Sequence, residues 1–231
     1  ERVSELVRAS GAHLGAVIDT GGEHLTLVDD GGHVLSDSEG LMALLHLVLA
    51  AGARTVALPV SIGRGAEAMI ERAGAELLWT KLSTAQLLEV ANLPGVDFAA
   101  GGDGGYAFPA FLPAYDAVSA FVQTLALLAA GRSRLSRIVA DLPAVRIAHE
   151  SVITPWEKKG LVMRMILERS AQDHELVLVD GVKVLHDDGW ALVLPDPDEP
   201  VTNVWAEGVT ETEARARAQE YGRRIRNLLR T

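Results

Sequence analysis

Between residues 38 and 130 the chain alternates short apolar runs with longer stretches of 3.6-residue periodicity, and this alternation restricts it to a layered α/β architecture. Helices are expected over 39–52, 64–73 and 84–92, strands over 55–58, 76–80 and 98–100, and a long helix over 116–130. Ser83 followed by Gln86 reads as a capping box for the third of these helices. Upstream, a helix over 1–10 precedes strands at 14–19 and 25–29, and Asp29-Asp30-Gly31-Gly32 supplies turn chemistry for a hairpin into Val34 and Leu35. Gly131 to Arg134 reads as a linker and 135–142 as a short helix. Beyond it the pattern changes to a strand (144–149), a helix (155–170), three strands (176–180, 182–186, 190–194), a strand (201–206) and a helix capped by Thr210 and Glu213. That final stretch predicts an α+β unit with a mostly antiparallel sheet.

Charge narrows the function classes. With 31 acids against 21 bases the net charge is −10, which disfavours a nucleic-acid partner, since such affinity rests on lysine and arginine neutralising phosphates. The chain has no cysteine, so disulfides, thiolate nucleophiles and sulfur-ligated metals are excluded together. No basic flank with an apolar stretch opens the chain, and the longest apolar run, 41–53, is too short to cross a bilayer. A cytoplasmic location is the expectation, and the missing initiator methionine is read as a sign of a longer parent protein. The seven histidines show no zinc-ligand spacing, and no G-x-S-x-G nucleophile elbow occurs.

The turn from Leu194 to Pro200 contains three prolines (Pro195, Pro197, Pro200) and three acids (Asp196, Asp198, Glu199). Each proline removes a backbone donor and each carboxylate repels an anion, so this turn is chemically unsuited to phosphate.

Asp180-Gly181-Val182-Lys183-Val184, Gly189-Trp190 and Glu199-Pro200 resemble the last domain of the phosphohexomutase (phosphomannomutase/phosphoglucomutase) family. The resemblance implies a three-layer, mixed-sheet third domain (38–133), the tail of a second such domain (1–37) and a C-terminal α+β domain with a mostly antiparallel sheet (134–231). Its phosphate-gripping Arg-Ser-Asn-Thr turn corresponds to Leu194, Asp196, Pro197 and Asp198, none of which keeps the ligand type. The family's magnesium loop corresponds to Asp19, Gly21 and Glu23, with His24 in place of an arginine. Asp19 and Glu23 leave two carboxylates for a hydrated ion, so the resemblance allows magnesium while the missing central ligand argues against a tight site. The sugar-recognition turn corresponds to Gly102, Asp103, Gly104 and Tyr106, where the family's glutamate, serine and histidine are lost. A fourth family run appears as Thr80-Lys81-Leu82-Ser83-Thr84 without its histidine.

The resemblance thus implies an altered ring of loops, and the family's phosphorylated serine would lie on a first domain outside this sequence. The narrower likeness, carried by 154–164, 193–197 and 204–208, is to the mutase-like region of bacterial mannose-1-phosphate guanylyltransferase-type fusion proteins. The expected reading is a degenerate phosphohexomutase-like module with no catalytic residue of its own, serving assembly or regulation beside an upstream nucleotidyltransferase or mutase domain. Its rivals are a fragment of an active mutase that needs its N-terminal domain, and a module sensing a sugar phosphate or sugar nucleotide. A homo-oligomer is compatible with all three. Asp29-Asp30 and Asp187-Asp188 read as solvated turn acids, and His46 as a core or interface histidine. Trp156 and Trp205 read as core or interface anchors, and the arginines of the last helix as a solvated basic face that could dock an acidic partner.

Overall fold

A computed structural model describes residues 2–230 as two compact units, one ending at Ala144 and the other starting at Val145. In the first unit, α1 (Arg2–Ser10) lies against a two-stranded antiparallel hairpin of β1 (Gly15–Ile18) and β2 (Leu25–Val28). A four-stranded mixed sheet follows in the order β4 (Glu76–Thr80), β3 (Thr55–Pro59), β5 (Phe98–Ala100), β6 (Tyr106–Ala107). β4 and β5 run parallel to β3, and β6 is antiparallel to β5. Parallel neighbours need crossover connections, and α3 (Arg64–Ala73) and α4 (Thr84–Ala91) provide them. α2 (Asp37–Ala50) is apolar almost all round and correspondingly buried, packing against α3, α5 (Ala117–Gly131) and α6 (Leu135–Asp141).

The second unit is a five-stranded antiparallel sheet in the order β7 (Ile147–Ile153), β11 (Val201–Glu207), β10 (Gly189–Pro195), β9 (Val182–His186), β8 (Leu176–Val177). α7 (Trp156–Ser170) and α8 (Glu211–Leu229) cover one face of it. Alternate strand residues Val152, Val184, Val193 and Val204 meet Val162, Ile166, Tyr221 and Ile225 from the helices in a dry core. Gly181, at φ +67°, makes the turn into β9, and a side chain there would run into the Val193 carbonyl. No described helix is long and apolar enough to cross a membrane.

Several expectations are corrected. The first compact unit runs through α6, which packs on α2, to Ala144, and it includes α1 and the β1–β2 hairpin. The strand expected at 144–149 occupies 147–153, extended by continuous pairing with the seven residues of β11. Ser83 sits at an N-cap, but it is exposed and its hydroxyl makes no capping bond. The reciprocal box forms instead between Ser36 and Glu39 at α2, and again between Thr210 and Glu213 at α8. Asp29 is not a solvated acid: it is 5% exposed, and its carboxylate accepts the N–H groups of Gly31 (2.8 Å) and His33 (2.9 Å), closing the turn after β2, where Val28 forms a single bridge to Val34 in place of the expected hairpin strand. Asp30, half-buried, accepts the N–H of Ser136 at 3.0 Å and so anchors the start of α6. Asp187 and Asp188 are exposed, Asp188 pairing with Arg217. His46 is exposed too, on the rim of a surface cavity of about 390 Å³ with Leu49, Met69 and Arg72.

Replacing Ile225, fully buried at the centre of the second core, by alanine is expected to destabilise the chain by about 2–5 kcal/mol in urea denaturation. Thr210→Ala should cost ~1 kcal/mol through the lost cap, whereas Ser83→Ala should leave the midpoint unmoved.

Candidate functional site

Asp19 opens the turn from β1 to β2. Its Oδ1 accepts the N–H groups of Glu23 (2.8 Å) and His24 (3.1 Å), while Oδ2 faces His24 Nδ1 at 3.0 Å. On the far side of the ring, His24 Nε2 lies 3.5 Å from Asp103 Oδ2. The same two turns are joined by backbone, Leu25 donating to the Gly104 carbonyl at 2.9 Å. Tyr115 meets the His24 ring edge-on with centroids 5.9 Å apart, and Gly105 leaves room for the tyrosine, since a Cβ there would fall inside its ring.

One histidine therefore stands between two carboxylates. The hydrogen bond from His24 holds the Asp19 carboxyl down to about 2. In return, Asp19 raises His24 above its ordinary 6.5 against the opposing effect of burial. The imidazolium so favoured neutralises the two acids locally. Both oxygens of Asp19 are engaged, Gly21 offers no ligand, and Glu23 points out exposed. Among the described residues no cluster of three histidines or acids could hold a metal ion. Magnesium demands several oxygens in near-octahedral array, and this donor set does not fit it.

The turn after β5 carries the positions expected to read a sugar. Gly102 is exposed with open space where a side chain would project, and Gly104 is buried at φ +86°. Tyr106 is 1% exposed and stacks on Phe98 in the core, with burial pushing its hydroxyl well above the usual tyrosine range. Of the four, only Asp103 presents a polar side chain outward; its Oδ1 accepts the Gly105 N–H at 3.1 Å and its Oδ2 faces His24. At the fourth expected place, Lys81 is exposed and the buried Thr80 hydroxyl donates to its carbonyl at 3.1 Å.

In the second unit, the turn between β10 and β11 is closed by its own atoms. Pro195, Pro197 and Pro200 have no N–H. The N–H groups of Asp198 and Glu199 both donate to Asp196 Oδ1, at 3.0 and 2.9 Å, and that of Asp196 donates to the Val201 carbonyl at 3.0 Å. Every backbone donor from 195 to 200 is thus engaged, two of them by a carboxylate sitting where an anion would have to be. These donors, the first of them from Asp198, hold the Asp196 carboxyl below the usual carboxylate range. Asn203 Nδ2 adds a donor at 3.2 Å. Beneath the turn, Lys159 of α7 is 9% exposed and its Nζ donates to the Asp196 and Glu199 carbonyls, both at 2.5 Å. The same ammonium lies 3.5 Å from the Trp156 ring centroid, a cation–π contact. Leu194 stays in the ladder opposite Asn203.

Sequence alone gave no role to Lys159 and did not foresee His24 as a bridge. The available signals were an Asp–His spacing of five around a glycine turn, and a lysine one helical turn after an N-terminal tryptophan. Trp156 is 53% exposed and Trp205 half-buried, so neither is a core anchor.

Residues 37–145 match the family model "Phosphoglucomutase/phosphomannomutase, alpha/beta/alpha domain III". The "Probable phosphoglucosamine mutase" of Methanopyrus kandleri is 27% identical over 217 residues, covering 93% of this chain and 48% of that protein. The "Phosphoglucomutase/phosphomannomutase" of Thermococcus kodakarensis is 22% identical over 91% of this chain and 46% of its own length. The chain therefore spans about half the length of the curated relatives it matches. A phosphoglucomutase/phosphomannomutase family protein of Burkholderia thailandensis superposes with a TM-score of 0.78 at 20% identity, covering 97% of this chain and 48% of that one. Aspergillus fumigatus N-acetylphosphoglucosamine mutase, solved with GlcNAc-6P and magnesium, superposes with a TM-score of 0.63 at 13% identity over 92% of this chain and 48% of that one. The fold is that of the C-terminal part of a phosphohexomutase, and residues 37–145 are similar to that family's third domain.

The Asp19–His24 pair sets a pH window. Asp19's folded value lies below its ordinary 3.8, so its contribution is present above 3.8 and lost as pH falls toward about 2. His24's folded value lies above 6.5, so its contribution is complete below 6.5 and lost as pH rises through the raised value. An NMR titration should show His24 deprotonating above 6.5, and Asp19→Asn should bring it down. Lys159→Met is expected to cost about 1 kcal/mol by removing two hydrogen bonds to turn carbonyls that water can reach, and to raise amide exchange at Asp198 and Glu199.

Proposed function

We propose that this chain is a phosphohexomutase-like module without phosphoryl-transfer chemistry of its own, serving a sugar-phosphate or sugar-nucleotide enzyme in assembly or regulation. The carrying observation is the Asp196 carboxylate, which takes the N–H groups that an anion-binding turn would offer to a phosphate. A phosphate could enter only by displacing bonds already made and by approaching Asp198 and Glu199, which repel it. In the first unit the His24 bridge supports the same reading, because a cationic ring stands between carboxylates that would otherwise attract a metal.

The names of the relatives, phosphoglucosamine mutase and phosphoglucomutase/phosphomannomutase, indicate a hexose or hexosamine phosphate as the substrate class of the parent protein. An upstream nucleotidyltransferase or mutase domain in that parent would carry the chemistry. A second reading, a working mutase needing an upstream half, is favoured by those names and by the half-length match.

Isothermal titration of the chain with glucosamine 6-phosphate, mannose 1-phosphate and glucose 1,6-bisphosphate, each with magnesium, is expected to show no saturable heat up to about 1 mM. Micromolar binding overturns the proposal. Mutase turnover by the full-length parent, lost on replacing an upstream serine, supports the second reading instead.

A further inference from the structure

β7 is the outer strand of the second unit's sheet. It pairs with β11 along one side and, among the described residues, with no strand along the other. It has seven residues and no proline, whereas the opposite edge, β8, has two. Free strand edges present a row of backbone donors and acceptors that templates another strand. Beside this edge runs a groove of about 690 Å³, lined by Ala148, His149 and Glu150 of β7 and, from α8, by residues that include Arg215, Arg223 and Arg226. From Arg215 to Arg226 the helix rises about 16 Å, the length of roughly five residues of extended chain.

The charges in the groove are unequally engaged. Arg226 is bound to Glu150 at 2.7 Å, and Gly222 lets that carboxylate lie close against α8, where a Cβ would collide with it. Arg215 reaches Glu211 on its own helix at 3.4 Å, but both side chains are more than 70% exposed, so the pair is weak. Arg223 is exposed and makes no ion pair among the described residues. Two guanidinium groups are therefore open to an incoming carboxylate, and Arg is the residue best shaped to take one bidentately.

The other face of β7 is different in kind. His149 stacks on Trp205 with centroids 4.9 Å apart and is held by Asn203 at 3.1 Å, and Ile153 is 79% exposed. A strand added along β7 would alternate its side chains between these two faces. One set would meet arginines and the other an aromatic and aliphatic strip. Nucleic acid suits the surface poorly, because the body is acidic and Glu150 lies within the groove.

We propose that β7 and α8 form a docking site for an extended acidic segment of a partner protein, which adds a strand to the β7 edge. Carboxylates at alternate positions meet Arg215 and Arg223, and the intervening apolar side chains lie beside His149 and Ile153. The mode is β-augmentation, with backbone bonds giving affinity and alternate side chains giving selectivity. It is independent of whether the ligand loops are active.

The test is fluorescence anisotropy of the whole 231-residue chain with a labelled ten-residue peptide of alternating glutamate and valine. Saturable binding is expected, weakened at least tenfold by Arg215→Glu with Arg223→Glu, both exposed positions whose exchange should leave the circular dichroism spectrum unchanged. Two further peptides carry N-methyl groups on the odd or on the even backbone amides. Only one set faces β7, so one methylated peptide should lose binding and the other keep it. No binding of the parent peptide, equal responses to both methylation patterns, or indifference to the charge reversal overturns the proposal. So does a dimer of the chain that occludes the peptide, which would give the edge to a second copy instead.

Discussion

A tight turn leaves backbone N–H groups without strand partners, and between β10 and β11 their acceptor is the Asp196 side chain. Asp196 gathers the N–H groups of Asp198 and Glu199, and Lys159 from α7 gathers the carbonyls of Asp196 and Glu199. Donors and acceptors of one short loop are thereby sorted onto a fixed anion and a fixed cation. Three prolines further restrict its backbone. The loop also joins α7 to the β10–β11 ladder, so the same contacts that close it tie a helix of the second core to its sheet.

The first unit solves a comparable problem with opposite charge. The turn after β1 and the turn after β5 each carry an aspartate, and two carboxylates at such range repel unless a cation stands between them. His24 is that cation. Its ring is oriented by Asp19 and Tyr115, and the β-bridge between His24 and Gly105 brings Asp103 within reach. In both units, a charged side chain of the protein satisfies groups of opposite polarity in a turn. A site satisfied in this way offers a ligand little net gain, because each new bond replaces one already formed.

Much of the architecture was legible because it is written in local periodicity. The helices over 64–73 and 84–91, the strands at 76–80 and 98–100 and the capped final helix occur where the apolar spacing and the Thr210–Glu213 signature put them. The loop chemistry was partly legible as well: prolines cannot donate, and the glycines at 21, 102 and 104 carry no ligand atoms. What failed were statements about exposure. Asp29 looked like a solvated turn acid and is buried in the turn after β2, because its carboxylate serves two N–H groups that the turn would otherwise orphan. His46 read as a core or interface histidine and is not in the core, because α2 leaves one stripe of its surface uncovered between α3 and the segment after α6. Ser83 had the right neighbours for a box that did not close, since a hydroxyl chooses its partner by geometry that spacing does not encode.

By itself, the amino-acid sequence determined the order of elements, the layered α/β character of the first unit, the antiparallel character of the second and the absence of backbone donors at the three prolines of the β10–β11 turn. These follow from residue type and near-neighbour spacing, which act within a few positions along the chain. Only the tertiary structure decided which distant side chains meet these turns. Lys159 lies 37 residues from Asp196 and 40 from Glu199, and the turns carrying His24 and Asp103 are far apart along the chain. Their meeting depends on how whole helices and strands pack, and no local pattern records that distance.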